Sequence, residues 1–180
     1  MTFRIPLLVP IIGYNISLNE FPEHISFVIE IGGCLKNCPD CHRPDMQKTP
    51  PFVYYSEIEA RVREAVSKGA NGIVIMGGTT NNFYLPDLEV LINLLSHFAP
   101  VCLYSGSDNF ERDYQIASNT NLSALKTGSY KKELGGLDSP TTNQRFYLIE
   151  KGGTDASKVM VDITHTFYEN TNNQPTKRQT

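Results

Sequence analysis

The 180-residue sequence contains no apolar run near the roughly 18 residues that a membrane-spanning helix requires, so a chain that stays out of the bilayer is expected. It also lacks a basic block before its last few residues. Its 16 Lys and Arg stand against 19 Asp and Glu, a formal net charge of −3, and a nucleic-acid backbone is therefore not an expected partner. A secretory leader is not expected either. Arg4 precedes an apolar stretch, but Pro6 and Pro10 interrupt it and no small-residue cleavage site follows, so the segment reads as mature protein in a reducing cytoplasm. There, clustered cysteines read as metal or redox ligands rather than disulfides. No internal repeat is found.

The length suits one domain, expected over 1–167, with a polar, disordered tail over 168–180. Ile25 to Ile31 is rich in β-branched residues and nearly continuous in apolar character, as a buried parallel strand is. Gly72 to Met76, Val101 to Tyr104 and Ser123 to Thr127 read as further strands. Helices are expected over Ser56 to Lys68, with Ser56 and Glu59 as a capping box, over Pro86 to His97, and more weakly over Phe110 to Ala117. This alternation points to an α/β fold with a mainly parallel sheet. Glu133 to Thr142 reads as a structured loop, and Gln144 to Glu150 and Lys158 to Ile163 as late strands. Functional groups of such sheets collect at the carboxyl ends of the strands. Those ends carry a cysteine loop, the Gly77-Gly78-Thr79-Thr80 turn, the Ser105-Gly106 turn and the Lys126-to-Tyr130 segment.

Three of the four cysteines fall within eight positions of one another directly after the first strand, in Gly32-Gly33-Cys34-Leu35-Lys36-Asn37-Cys38-Pro39-Asp40-Cys41-His42. The spacing C-x-x-x-C-x-x-C lets a short loop wrap three thiolates around one iron-sulfur cubane and leaves one iron open. Two other readings compete. Cys38 to His42 matches C-x-x-C-H haem attachment, which leaves Cys34 unexplained. Structural zinc would need His42 or Cys102 as a fourth ligand, whereas such sites prefer two separated ligand pairs. Cys102, flanked by Val101 and Leu103, reads as buried core.

The motif after the first strand of a βα-repeat chain resembles the radical S-adenosylmethionine superfamily. Met76-Gly77-Gly78, Tyr104-Ser105-Gly106, Leu125-Lys126-Thr127-Gly128 and the long segment Glu133 to Tyr147 sharpen that resemblance to the activating proteins of anaerobic ribonucleoside-triphosphate reductase. The resemblance implies a partial (β/α) barrel of radical-SAM type, with a [4Fe-4S] cluster on Cys34, Cys38 and Cys41. It implies S-adenosylmethionine near Gly77, Gly78, Thr79, Ser105 and Lys126. The implied partners are the large reductase subunit and an electron donor such as flavodoxin or ferredoxin. The implied reaction is reductive cleavage of S-adenosylmethionine and installation of a glycyl radical on the reductase. A radical enzyme acting on a small molecule and a non-catalytic zinc-stabilised binding module are the alternatives. The chain departs from the superfamily pattern at Asp40, where an aromatic residue is common, and at Thr79, where an acidic one often holds the methionine amine. That amine contact then weakens or moves to Thr80 or Asn81. Arg145 reads as a ligand for the cofactor carboxylate, a partner contact or a structural ion pair, and Tyr130 as a rim or packing residue.

Overall fold

A computed structural model describes residues 7–81, 84–151 and 158–169. Eight strands form one sheet: β1 (Leu8–Ser17), β2 (Ser26–Ile31), β3 (Phe52–Tyr54), β4 (Gly72–Met76), β5 (Val101–Tyr104), β6 (Ala124–Thr127), β7 (Arg145–Lys151) and β8 (Lys158–Asp162). Their order across the sheet is β3-β1-β2-β4-β5-β6-β7-β8, and the sheet is open, with β3 and β8 at its edges. The helices are α1 (Tyr55–Ser67), α2 (Leu85–Leu95), α3 (Phe110–Asn119) and α4 (Thr166–Glu169). Among the described residues no helix is long and apolar enough to cross a membrane.

The expectation of a mainly parallel sheet needs correction. The centre, β2-β4-β5-β6, is parallel, but β1, β3, β7 and β8 pair antiparallel. The connections explain the split. Parallel neighbours need a long crossover, which α1, α2 and α3 provide, whereas β1 and β2 are successive strands, as are β7 and β8, and no helix lies between β6 and β7.

Two of the elements escape sequence reading. Pro10 lies inside β1, paired with Phe52 of the short strand β3, a place where proline is tolerated because few ladder bonds are at stake. The capping box over Ser56 and Glu59 is not formed. β3 runs directly into α1, so the N-cap is Tyr54, with no side-chain cap hydrogen bond, and Ser56 already lies inside the first turn. Glu59 instead accepts from Arg63 one turn on, 2.7 Å from Nη2.

One face of the sheet packs on the helices through Ile29, Ile31, Ile73, Ile75, Leu103 and Leu125, against Ile58 and Val62 of α1, Leu91 and Ile92 of α2 and Ile116 of α3. The opposite face carries a smaller layer of Val28, Val74, Cys102, Ala124 and Phe146. Every residue of β2 is buried, so its near-continuous apolar run is what a two-sided environment demands. Cys102 is fully buried within that second layer. The expected tail lies outside the described residues from position 170 onward, and Tyr168 and Glu169 close α4.

Candidate metal and cofactor site

β2 delivers the chain into the cysteine loop, and backbone pairing holds both arms of that loop. The N–H groups of Gly32, Gly33 and Cys34 donate to the carbonyls of Pro10, Lys48 and Met46 at 2.7, 2.8 and 2.9 Å. A side chain at Gly32 has no room, because its Cβ would fall 2.6 Å from the Lys48 carbonyl oxygen. Between these anchors Asn37 and Asp40 adopt φ of 49° and 54°, so the loop turns tightly and brings Cys34, Cys38 and Cys41 into the lining of one cavity. Burial pushes the Cys38 thiol up, Cys41 and Cys34 push it further, and Lys36 and the Tyr130 amide work against them. Three soft sulfur donors gathered in the lining of one cavity suit a shared cationic iron centre.

The cavity measures about 1530 Å³ and is open to solvent. The sheet's second face floors it, and the ladder aligns one residue from each central strand: Glu30 beside Met76, Met76 beside Tyr104, Tyr104 beside Lys126. Glu30 is buried, and Arg43, two residues beyond the last clustered cysteine, clamps both its carboxylate oxygens, with Nη2 at 2.7 Å from Oε2. The same guanidinium reaches Asp45 at 2.9 Å. Lys126 is buried to 7% exposure, donates to the Gly128 carbonyl at 2.8 Å and sits 5.9 Å from the Tyr104 ring centre. Burial lowers its pKa to about 8.

The turn after β4 meets the cysteine loop directly. Gly77 and Gly78 have φ of 89° and 81°, which only glycine adopts without strain, and a Cβ on Gly77 would lie 2.6 Å from the Ile31 carbonyl oxygen. Thr80 Oγ1 donates to Cys34 Sγ at 3.5 Å and accepts from the Leu35 N–H at 3.2 Å. Asn81 Nδ2 donates to the Gly33 carbonyl at 3.3 Å, while Asn82 lies outside the described residues. Thr79 is fully buried and points elsewhere. Its Oγ1 is hydrogen-bonded to Ser105 Oγ at 3.0 Å, Ser105 donates its one proton to Asp113 Oδ1 at 2.9 Å, and Thr127 donates to the other Asp113 oxygen. One carboxylate from α3 thus ties together the ends of β4, β5 and β6.

All eight residues singled out in the sequence therefore lie in or beside this region. Cys34, Cys38, Cys41, Gly77, Thr79, Ser105 and Lys126 line the cavity; Gly78 is the exception, and a Cβ added there would meet Ile31 and Leu88. Tyr130 lines it too, its ring 4.6 Å from that of His42. Arg145 turns away, donating to the carbonyls of Thr142 and Gln144 at 2.9 and 2.8 Å. Sequence reasoning missed Glu30 and Asp113. For Glu30 a signal existed, a lone carboxylate in an otherwise apolar strand. Asp113 gave none, because its partners lie eight and fourteen residues away.

Among the described residues no three His, Cys, Asp or Glu side chains are drawn together as a single metal ion would need. Comparison with family models, curated proteins and solved structures finds no match for this chain.

Proposed function

We propose that this chain is a radical S-adenosylmethionine activase that installs a glycyl radical on anaerobic ribonucleoside-triphosphate reductase. The observation that carries the reading is the presence of three thiols, spaced C-x-x-x-C-x-x-C, on the lip of one open cavity floored by strand ends. The reading also draws on the ordered resemblance from Ile25 to Tyr147. The parallel centre of the sheet, with helices on one face and the cavity on the other, is compatible with a partial barrel of radical-SAM type.

Cys34, Cys38 and Cys41 hold the [4Fe-4S] cluster in this reading. When bound and reduced, the cluster would supply one electron to the sulfonium of S-adenosylmethionine, releasing methionine and leaving the 5′-deoxyadenosyl group to take the hydrogen from a glycine of the reductase. The chain's own residues bind and orient. The Gly77-Gly78 turn leaves room for close backbone approach, and Lys126, protonated below pH 8, offers an ammonium to a carboxylate. Thr80 fixes the Cys34 sulfur, and Glu30 with Arg43 anchors the far arm of the loop. Met76 and Tyr104 give the floor an apolar character that limits water around the reacting groups. Flavodoxin or ferredoxin is the class of electron donor expected.

The test is anaerobic reconstitution with iron and sulfide, followed by incubation with S-adenosylmethionine, a reductant and the large reductase subunit. A glycyl doublet in the EPR spectrum is the expected result. Cys34→Ala, Cys38→Ala and Cys41→Ala each abolish it, whereas Cys102→Ala leaves it largely intact. Cleavage of S-adenosylmethionine without a protein radical would favour a small-molecule substrate. A colourless, zinc-retaining protein would overturn the enzymatic reading altogether.

A further inference from the structure

We infer that the turn from Gly128 to Lys132 is a clasp that holds the cysteine loop in shape, and that Asn143 and Gln144 brace this clasp from behind. On its front side the turn meets the loop directly at Tyr130, whose amide also faces the Cys38 sulfur, and at Lys132, and indirectly through Asp108. The Tyr130 ring packs edge-on against His42 at 4.6 Å, and Lys132 Nζ lies 3.3 Å from Asp40 Oδ2. The Ser129 N–H and hydroxyl donate to Asp108 at 2.9 and 3.0 Å, and Asp108 in turn accepts from Lys36 Nζ at 2.5 Å. Lys36, Asp40 and His42 are interleaved with the three cysteines, so each contact restrains a different part of the loop.

The two ion pairs are largely solvent-exposed and weak alone, an isolated surface pair contributing ~0–1 kcal/mol, while the Ser129 hydrogen bonds to Asp108 are partly buried. They add only if the turn is already rigid, because its ordering entropy then falls once rather than three times. The rear contacts supply that rigidity. Gln144 Nε2 and Lys126 Nζ both donate to the Gly128 carbonyl, at 3.3 and 2.8 Å, and Asn143 Nδ2 donates to the Ser129 carbonyl at 2.9 Å. The two backbones run so close that a Cβ on Gly128, whose φ is 94°, would lie 3.2 Å from the Asn143 carbonyl oxygen and the Gln144 Cα. Gln144 is itself fixed by its N–H on Thr142 Oγ1 at 3.1 Å and by Arg145 on its carbonyl. Asn143 and Gln144 therefore act as positioning residues, through the turn, on thiols that their described hydrogen bonds do not reach.

The clasp is a property of the iron-free chain; only its service to a cluster rests on the function proposed above. Iodoacetamide labelling of the iron-free protein, read at each cysteine by mass spectrometry at the high-pH plateau, tests it. Gln144→Met keeps the side-chain length and removes the donor, and Asn143→Ala removes the other. Labelling of Cys38 and Cys41 should rise about fivefold, the factor one net hydrogen bond contributes to a local opening, while buried Cys102 stays protected. Unchanged labelling of Cys38 and Cys41 in both variants would overturn the clasp. If Cys102 also becomes reactive, the fold has been lost, and Lys132→Ala decides. That side chain is 69% exposed, so its removal leaves the core untouched, and a rise confined to Cys38 and Cys41 supports the clasp while no rise overturns it. In iron-loaded protein the same variants should broaden and shift the cluster's EPR signal. Failure of the wild-type chain to assemble any cluster would overturn the proposed function and leave the labelling result standing.

Discussion

A lysine on a cavity floor is costly to keep charged, and Lys126 is the clearest case in this chain. Burial lowers its pKa from the usual 10.5 to about 8, so it is cationic at neutral pH but loses its proton within the working range of most assays. If it receives the carboxylate of S-adenosylmethionine, affinity holds steady below pH 8 and weakens above it, by up to about tenfold per pH unit. Lys126→Met should lower affinity about tenfold at pH 7 and flatten the part of the pH profile that the lysine causes. Equilibrium dialysis of both proteins between pH 6 and 9.5 measures this, and identical profiles would remove Lys126 from the binding set. Residues of this kind were legible in the sequence because the strand-end rule places them on one rim. Glu30 was legible only as a lone carboxylate in an apolar strand and Asp113 not at all, since what makes them matter is a partner brought close by the fold.

Among the elements, the three strand-end turns depend on one helix for their shape. Asp113 of α3 accepts from Ser105 and Thr127, and burial raises its pKa above the usual 3.8 against the pull of those two hydroxyls. Its folded-state pKa therefore exceeds the unfolded value. The contribution to stability is full below pH 3.8 and is lost as pH rises through the folded pKa. Asp113→Asn keeps an acceptor and a donor in place and should remove that decline, whereas Asp113→Ala strands two buried hydroxyls and costs ~2–4 kcal/mol. Urea unfolding at pH 4 and pH 7 separates the two outcomes. The neighbouring turn is as constrained by sterics as this hub is by polarity. Gly77→Ala forces a Cβ to 2.6 Å from a backbone oxygen at φ of 89°, and should destabilise by ~2–3 kcal/mol in thermal melts, with the Thr80 contact to Cys34 loosened. The glycine pair was visible in the sequence; β1, β3 and the uncapped start of α1 were not. Proline and serine carry strong local preferences, and at Pro10 and Ser56 the pairing of β1 with β3 overrides both.

For the whole molecule, the decisive feature is that the cavity, as the described residues line it, opens to solvent. The sheet is open at β3 and β8, and a space of about 1530 Å³ faces solvent beside the cysteine loop. On the proposed reading, chemistry that must exclude water gains from a cover over this opening, and a protein substrate supplies one where a small molecule does not. Two aliphatic side chains stand where such a cover would land. Leu18 lines the cavity from the β1–β2 connection, Leu35 follows the first clustered cysteine, and each is 68% exposed. Solvation of a leucine to that extent costs free energy that docking recovers, about 1 kcal/mol or more for each. Neither side chain supports the fold, so Leu18→Asp and Leu35→Asp should leave the melting temperature within a degree or two. On the proposed reading both variants still cleave S-adenosylmethionine when reduced without the reductase, but the yield of protein radical falls tenfold or more, because an unpaired carboxylate must be desolvated at the contact. Parallel assays of methionine release and EPR radical yield measure the two quantities. Equal loss in both assays would place these leucines in the cleavage machinery, and undiminished radical yield would move the docking surface to another side of the sheet.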